Sequence, residues 1–232
     1  MDQSKRDFID FMCGAGVLTF GDFVTKSGRQ TPYFVNTGRY TTGAQMEALG
    51  AVYARTITER FGDGFDVIFG PAYKGIPLAV AAASALAREH GRDVPLCFNR
   101  KEAKDHGEGG VLVGHRLQDG DRVLIVEDVT TAGTSIRETV PILRAAADVS
   151  LAGLVVSVDR MERGPAGDRS ALAEVGAEFG MQVEAIVDLD DVVEHLAPGS
   201  GAPHAIGEDD LARIAAYRAE YGVPGRLAQG AD

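Results

Sequence analysis

From Asp66 onward the chain sets out short apolar runs, DVIFG, VPLCFN, VLVG, VLIVED, GLVVSV and VEAIVDL, with helical patterning between several of them. Few folds satisfy that alternation. It predicts an α/β architecture with a mainly parallel central sheet flanked by helices. Val123 to Val126 is apolar at every position, as expected of a strand covered on both faces. One helix is expected to run from IFGPAYKGIP to about His90, and another at about 44–60, where Met46, Leu49, Tyr53 and Ile57 share a face. Asp119-Gly120 signals a tight turn between VLVG and VLIVED and so predicts that those two runs pair antiparallel. Pro141 removes a backbone donor inside the next helical pattern and is expected to kink or shorten that helix.

The first 40 residues have another texture, a short helix and then alternating stretches that predict small strands outside the main sheet. The expected organisation is a single domain, residues 1–232, in which residues about 1–40 form a hood over the site. MERGPAGD and APGSGAPHAIG read as surface loops, and a last helix is expected at about Glu208 to Tyr221. A net charge of −11 argues against nonspecific nucleic-acid binding, which needs a basic surface. The longest apolar stretch, Pro77 to Ala87, falls short of the roughly 20 residues of a membrane span and reads as a buried helix. The acidic residues in MDQSKRDFIDFMCG suit neither a secretory signal nor a transit peptide, so a cytoplasmic protein is expected. Cys13 and Cys97 lack metal-ligand spacing and read as small buried side chains.

Four stretches point to an anionic ligand. In VLIVEDVTTAGTS the strand is expected to end at Glu127 and Asp128, followed by a small loop, Thr130 to Ser135, and a helix with Ile136, Val140, Leu143 and Ala147 on one face. Backbone N–H groups in such a loop and at a helix N-terminus make a phosphate cradle. The two carboxylates can accept hydrogen bonds from vicinal hydroxyls or hold Mg²⁺. A plain strand-to-helix turn explains the isolated motif equally well. In IFGPAYKGIP, Lys74 follows a strand end and can supply a point charge to phosphate oxygens. FNRKEAKDHGEGG packs Arg100, Lys101, Lys104 and His106 into seven residues with Gly107, Gly109 and Gly110 behind them, as a mobile basic loop would. Glu102, Asp105 and Glu108 weaken its purely electrostatic case. TKSGRQTPYFVN combines Lys26 and Arg29 with Tyr33 and Phe34, a set that suits a flat anionic heterocycle and also suits simple packing.

Taken in order, these stretches and SVDRMERG resemble the orotate phosphoribosyltransferases, within the type I phosphoribosyltransferases, from about Lys26 to Gly164 and again in the C-terminal helix. The resemblance implies a transferase in pyrimidine biosynthesis that joins orotate to the ribose of phosphoribosyl diphosphate (PRPP), with Mg²⁺. It places Glu127 and Asp128 on the ribose hydroxyls, and Thr130, Thr131, Ala132, Gly133, Thr134 and Ser135 around the 5′-phosphate, with Val129 also in the PRPP-binding set. Tyr73, Lys74, Lys26 and Arg100 would line the pyrophosphate side, while Lys26, Phe34, Val35, Thr131 and Arg160 would meet orotate. It further implies a homodimer in which Lys101, Lys104 and His106 enter the neighbouring subunit's site, with these three and Asp128 as the catalytic set. His106 is left open as a proton donor. The chain departs from the family at Glu127, where aspartate is common, and at Val35, where a second aromatic often follows Phe34. His90, His115, His195 and His204 read as surface or helix-end residues. Two other readings use the same motifs: a PRPP-dependent transferase for another nucleobase, and a non-catalytic PRPP-binding regulator.

Overall fold

The computed structural model describes residues 1–25, 28–104, 110–129, 133–167 and 169–225, with backbone alone at 103, 104 and 110. In chain order the elements are α1 (Gln3–Gly14), β1 (Leu18–Val24), β2 (Gln30–Val35), a 3₁₀ turn (Thr37–Arg39), α2 (Gly43–Phe61), β3 (Val67–Gly70), α3 (Gly75–His90), β4 (Leu96–Lys104) and β5 (Gly110–Gly114). There follow β6 (Arg122–Val129), α4 (Thr134–Ala146), β7 (Ser150–Asp159), α5 (Ala171–Phe179), β8 (Gln182–Asp188), α6 (Leu189–Leu196) and α7 (Glu208–Tyr221). Six strands form the central sheet in the order β5-β4-β3-β6-β7-β8, parallel except for β5, and β1 with β2 makes a separate antiparallel hairpin. Among the described residues, no helix is long and apolar enough to cross a membrane.

The apolar run in β6 shows why the sheet lies between two helical layers. Val123 and Ile125 pack with Ile136 and Val140 of α4 and Val175 of α5, whereas Leu124 and Val126 join the cluster of Leu49 and Tyr53 of α2 and Leu78 and Leu86 of α3. Alternate side chains of a strand point to opposite faces, so both sets must be apolar. Helix α2 starts at a capping box, in which the Thr42 hydroxyl accepts from the Gln45 amide. The passage from β3 into α3 is so tight that a Cβ on Gly70 would lie 2.1 Å from the Gly75 carbonyl oxygen. This explains the glycines that bracket PAYK.

Several expectations require correction. VLVG does not pair with VLIVED: β5 runs antiparallel to β4 at the sheet edge, with Phe98 opposite Val113, and β6 sits between β3 and β7. Asp119-Gly120 instead forms a turn within the connection to a central strand, where Gly120 donates to the Asp148 carbonyl. Strand β6 does not end at its acids, because Glu127 and Val129 continue the ladder opposite Val156 and Val158 of β7. The basic stretch is not loop throughout, since β4 extends through Arg100 and Lys101 to Lys104. Helix α4 is not cut short at Pro141 and runs on to Ala146. Cys97 is buried and Cys13 half-buried, and burial pushes both thiols up to about 12, which leaves them poor nucleophiles. His115 pairs with Asp121 at 3.1 Å and His195 with Asp10 at 2.9 Å, so two histidines have structural partners that their sequence positions did not suggest.

Candidate active site

Strands β3 and β6 are neighbours, but α3 after the first lies in one layer and α4 after the second in the other. A crevice opens at such a switch point, beyond the carboxyl ends of the two strands. Tyr73 and Lys74 leave β3 there, and Glu127 and Asp128 complete β6. The structure brings the halves together, with Lys74 Nζ 3.0 Å from Asp128 Oδ2. Tyr73, the most exposed large hydrophobic side chain among the described residues at 69%, precedes Lys74 in the chain. The turn carrying both is held from the neighbouring strand, because the Ala72 amide donates to Asn99 Oδ1 at 2.8 Å.

The two acids have different surroundings. Asp128 Oδ2 also accepts from the Thr37 hydroxyl at 2.6 Å, and Oδ1 accepts from the Val129 amide at 2.7 Å. Glu127 is 6% exposed, accepts from the Asp128 amide at 3.0 Å and is hydrogen-bonded by Ser135. Burial, reinforced by the negative charge of Asp128, pushes the Glu127 carboxyl up to about 7. Beneath them the buried Tyr53 hydroxyl donates to the Glu127 carbonyl at 2.7 Å and meets Ser157 Oγ at 2.8 Å, which fixes the end of β6 to α2 and β7.

The phosphate cradle is described at its helix side. Gly133 caps α4 with φ of +70°, and a Cβ there would lie 2.3 Å from Val175 Cγ2, so both backbone and packing require glycine. Thr134 and Ser135 then open the helix with N–H groups aimed at its N-terminal end. Thr130, Thr131 and Ala132 lie outside the described residues, as do Lys26 and His106, and so does the side chain of Lys104. Arg100 is half-buried in β4, and the Lys101 ammonium is 3.9 Å from Glu138 of α4.

In the hairpin, β2 carries Phe34 and Val35, both half-buried; Phe34 stacks on Phe23 with ring centroids 5.5 Å apart, and Val35 packs against the main core. Arg160 lies just past the end of β7, only 4% exposed. The carboxylate that meets it is Glu162, which accepts from Arg160 Nε at 2.8 Å and lies 2.6 Å from Nη2. Glu162 also accepts from the Tyr217 hydroxyl of α7 at 2.8 Å and from Arg29 at 3.3 Å. The Arg160 guanidinium lies over the Tyr33 ring, 4.6 Å from its centroid. Two guanidinium groups share one carboxylate, so the group keeps a net positive charge.

The donor set bears on Mg²⁺. Among the described residues no group of three or more His, Cys, Asp or Glu side chains could hold a metal ion. Two adjacent carboxylates fit a cation that arrives already bound to phosphate oxygens and not one held in an all-protein cage, as is usual for Mg²⁺.

Thr37, Tyr53, Asn99 and Glu162 escape a motif reading. Each looks ordinary in sequence, and only contacts across 91, 74, 27 and two residues reveal them. A polar Asn99 amid the apolar VPLCFN run was the one local signal.

The raised Glu127 gives a pH prediction. With the folded carboxyl near 7 and the unfolded one near 4.5, the folded state binds the extra proton between those values, so this group's contribution to stability falls as pH rises from about 4.5 to 7. Below about 7 the folded chain carries a protonated, neutral Glu127. The profile of kcat/KM for a ligand that uses Glu127 as an anionic acceptor is expected to bend downward below pH 7. Glu127→Gln should remove the bend; a bend of the same shape in that variant assigns it elsewhere.

The phosphoribosyl transferase domain family matches residues 36–179 of the chain. An orotate phosphoribosyltransferase of Clostridium acetobutylicum is 54% identical over 224 residues, covering 96% of this chain and 100% of that protein. One of Cronobacter sakazakii is 51% identical over 223 residues, with coverage of 96% and 100%. Among solved structures, the orotate phosphoribosyltransferase of Francisella tularensis matches with a TM-score of 0.79 and 36% identity, over 93% of this chain and 99% of that one.

Proposed function

The chain belongs to the orotate phosphoribosyltransferase family, among the phosphoribosyl transferases, and from that premise we propose how its residues divide the work. The reaction transfers the 5-phosphoribosyl group of PRPP to orotate, forming orotidine 5′-monophosphate and pyrophosphate for pyrimidine biosynthesis. The observation that carries the assignment of roles is the pairing of Asp128, beside Glu127 at the end of β6, with Lys74 at the β3/β6 switch point.

Asp128 and Glu127 take the ribose hydroxyls, and the N-terminus of α4 with Thr130 to Ser135 takes the 5′-phosphate. Lys74, Tyr73, Arg100 and Lys26 line the pyrophosphate side. As the orotate ring nitrogen bonds to C1 of the ribose, the C1–O bond to pyrophosphate breaks and its electron pair leaves with the pyrophosphate oxygen. Positive character grows at the ribose beside Asp128, and negative charge grows on pyrophosphate beside the lysines; fixed opposite charges stabilise both. Glu127 and Asp128 would be the residues that hold Mg²⁺, which would supply further positive charge to offset that on the departing pyrophosphate.

Orotate lies against Phe34 and Val35, with Thr131 and Lys26 beside it. Its carboxylate is drawn to the net positive charge of Arg160, Arg29 and Glu162. This charge favours a carboxylated pyrimidine over purines and uracil. The α1 and β1-β2 segment serves as a hood over the base. The enzyme works as a homodimer, in which Lys101, Lys104 and His106 complete the partner's site.

Incubation of the purified protein with Mg²⁺ and PRPP, and separately with orotate, uracil, adenine, hypoxanthine or guanine, is expected to yield a nucleotide from orotate alone. Product from a purine and none from orotate overturns the reading. Lys104→Ala and Asp128→Asn chains should each be nearly inactive, while their mixed dimer regains one complete site and measurable activity. A mixed dimer without regained activity removes the shared-site arrangement and leaves the base assignment standing.

A further inference from the structure

We propose that Thr37 is a positioning residue for the carboxylate that receives the ribose, an inference that rests on the role given above to Asp128. The Thr37 hydroxyl is 2.6 Å from Asp128 Oδ2, closer than the 3.0 Å of Lys74 to the same oxygen. The Val129 amide donates to Oδ1 at 2.7 Å. A carboxylate offers about four lone-pair positions, so three are in use before any substrate arrives.

The three partners differ in their freedom to leave. The Lys74 side chain is 53% exposed on a long flexible stem, and it can turn toward pyrophosphate and release its share of Oδ2. Thr37 is buried, its χ1 is restricted by β-branching, and its backbone is fixed in the turn Thr37–Arg39, where Asn36 Oδ1 accepts from the Gly38 amide at 3.2 Å. Val129 is fixed in the β6 ladder. Thr37 and Val129 therefore hold opposite oxygens of Asp128 throughout the exchange, and about two lone-pair positions open for vicinal hydroxyls when Lys74 moves. Thr37 also follows Phe34 and Val35 closely in sequence, so one short segment both bounds the base side and anchors the ribose carboxylate.

The test is steady-state kinetics on the whole enzyme with Thr37→Val, which keeps the shape and removes the hydroxyl. A hydrogen bond to a charged group of this kind corresponds to a fall of roughly 10- to 100-fold in kcat/KM for PRPP. The KM for orotate should stay within about 2-fold, and Thr37→Ser should recover most of the loss because it restores the donor. Thr37→Val at wild-type kcat/KM overturns the proposal, as does Thr37→Ser as impaired as Thr37→Val, since the methyl group and not the hydroxyl would then matter. If Thr37→Val does not fold, Thr37→Ala against Thr37→Ser decides the same point. Asp128→Asn is measured in parallel: if it retains full activity, the reading of Asp128 itself fails, whereas an inactive Asp128→Asn beside a fully active Thr37→Val removes Thr37 alone.

Discussion

Asp128→Asn is expected to lower kcat/KM for PRPP by roughly 10²- to 10³-fold while the protein stays folded. The substitution keeps the size of the side chain and one oxygen, which can accept from Thr37 or from Val129 but not from both, since the two donors hold opposite oxygens now. What it removes is charge. A neutral amide cannot offset positive character at the ribose, and it replaces one acceptor oxygen with a donor that the ribose hydroxyls do not need. The Lys74 ammonium, now 3.0 Å from Oδ2, loses its anionic partner, but it is over half exposed and water can solvate it, so stability should change little. Binding of orotate alone should change little too, because Phe34, Val35 and Arg160 do not depend on Asp128. Thermal denaturation beside full kinetics separates these outcomes. A variant that turns over within about 5-fold of wild type denies Asp128 an electrostatic role of the size typical for such groups.

The half of this site that follows from local sequence was legible before the structure. An unbroken apolar run and the small residues after the acids fix a buried strand and a helix start, because strand burial and helix N-termini are local matters. The pairing of strands was not local. VLVG lies next to VLIVED in sequence, yet β6 fills the centre of the sheet, where Val123 and Ile125 bury one face and Leu124 and Val126 the other. The five residues of β5 are left to the edge beside β4. The strand boundary was misjudged for a related reason: acids suit a strand poorly on propensity, but the ladder to β7 carries Glu127 through, with its side chain in a crevice that the sequence could not show. Arg160 was legible as a cation for a carboxylate, while Glu162, two residues on, became its partner only through the fold.

Glu162→Ala is expected to have the largest effect on stability, on the order of 3–5 kcal/mol, since it removes one partner of a buried ion pair and leaves the other charge without compensation. The side chains of Arg160 and Glu162 are 5% and 7% exposed, so water cannot replace what is lost. Three elements meet on this one carboxylate: Arg160 beyond β7, Tyr217 of α7 and Arg29 before β2. Without it two guanidinium groups face each other across a cavity, and the Tyr217 hydroxyl loses its acceptor. For a domain of this size the loss corresponds to a melting temperature lower by roughly 10 °C. Glu162→Gln keeps the volume and an acceptor for Tyr217 but removes the charge. It should fall between the two, which separates the ionic part from the cavity. The pattern is the reverse of that at Asp128, where the rate falls and the fold holds. A melting temperature for Glu162→Ala within about 2 °C of wild type would mean that the pair is no stronger than an exposed one, and that Arg160 is held by the Tyr33 ring and Thr31 instead.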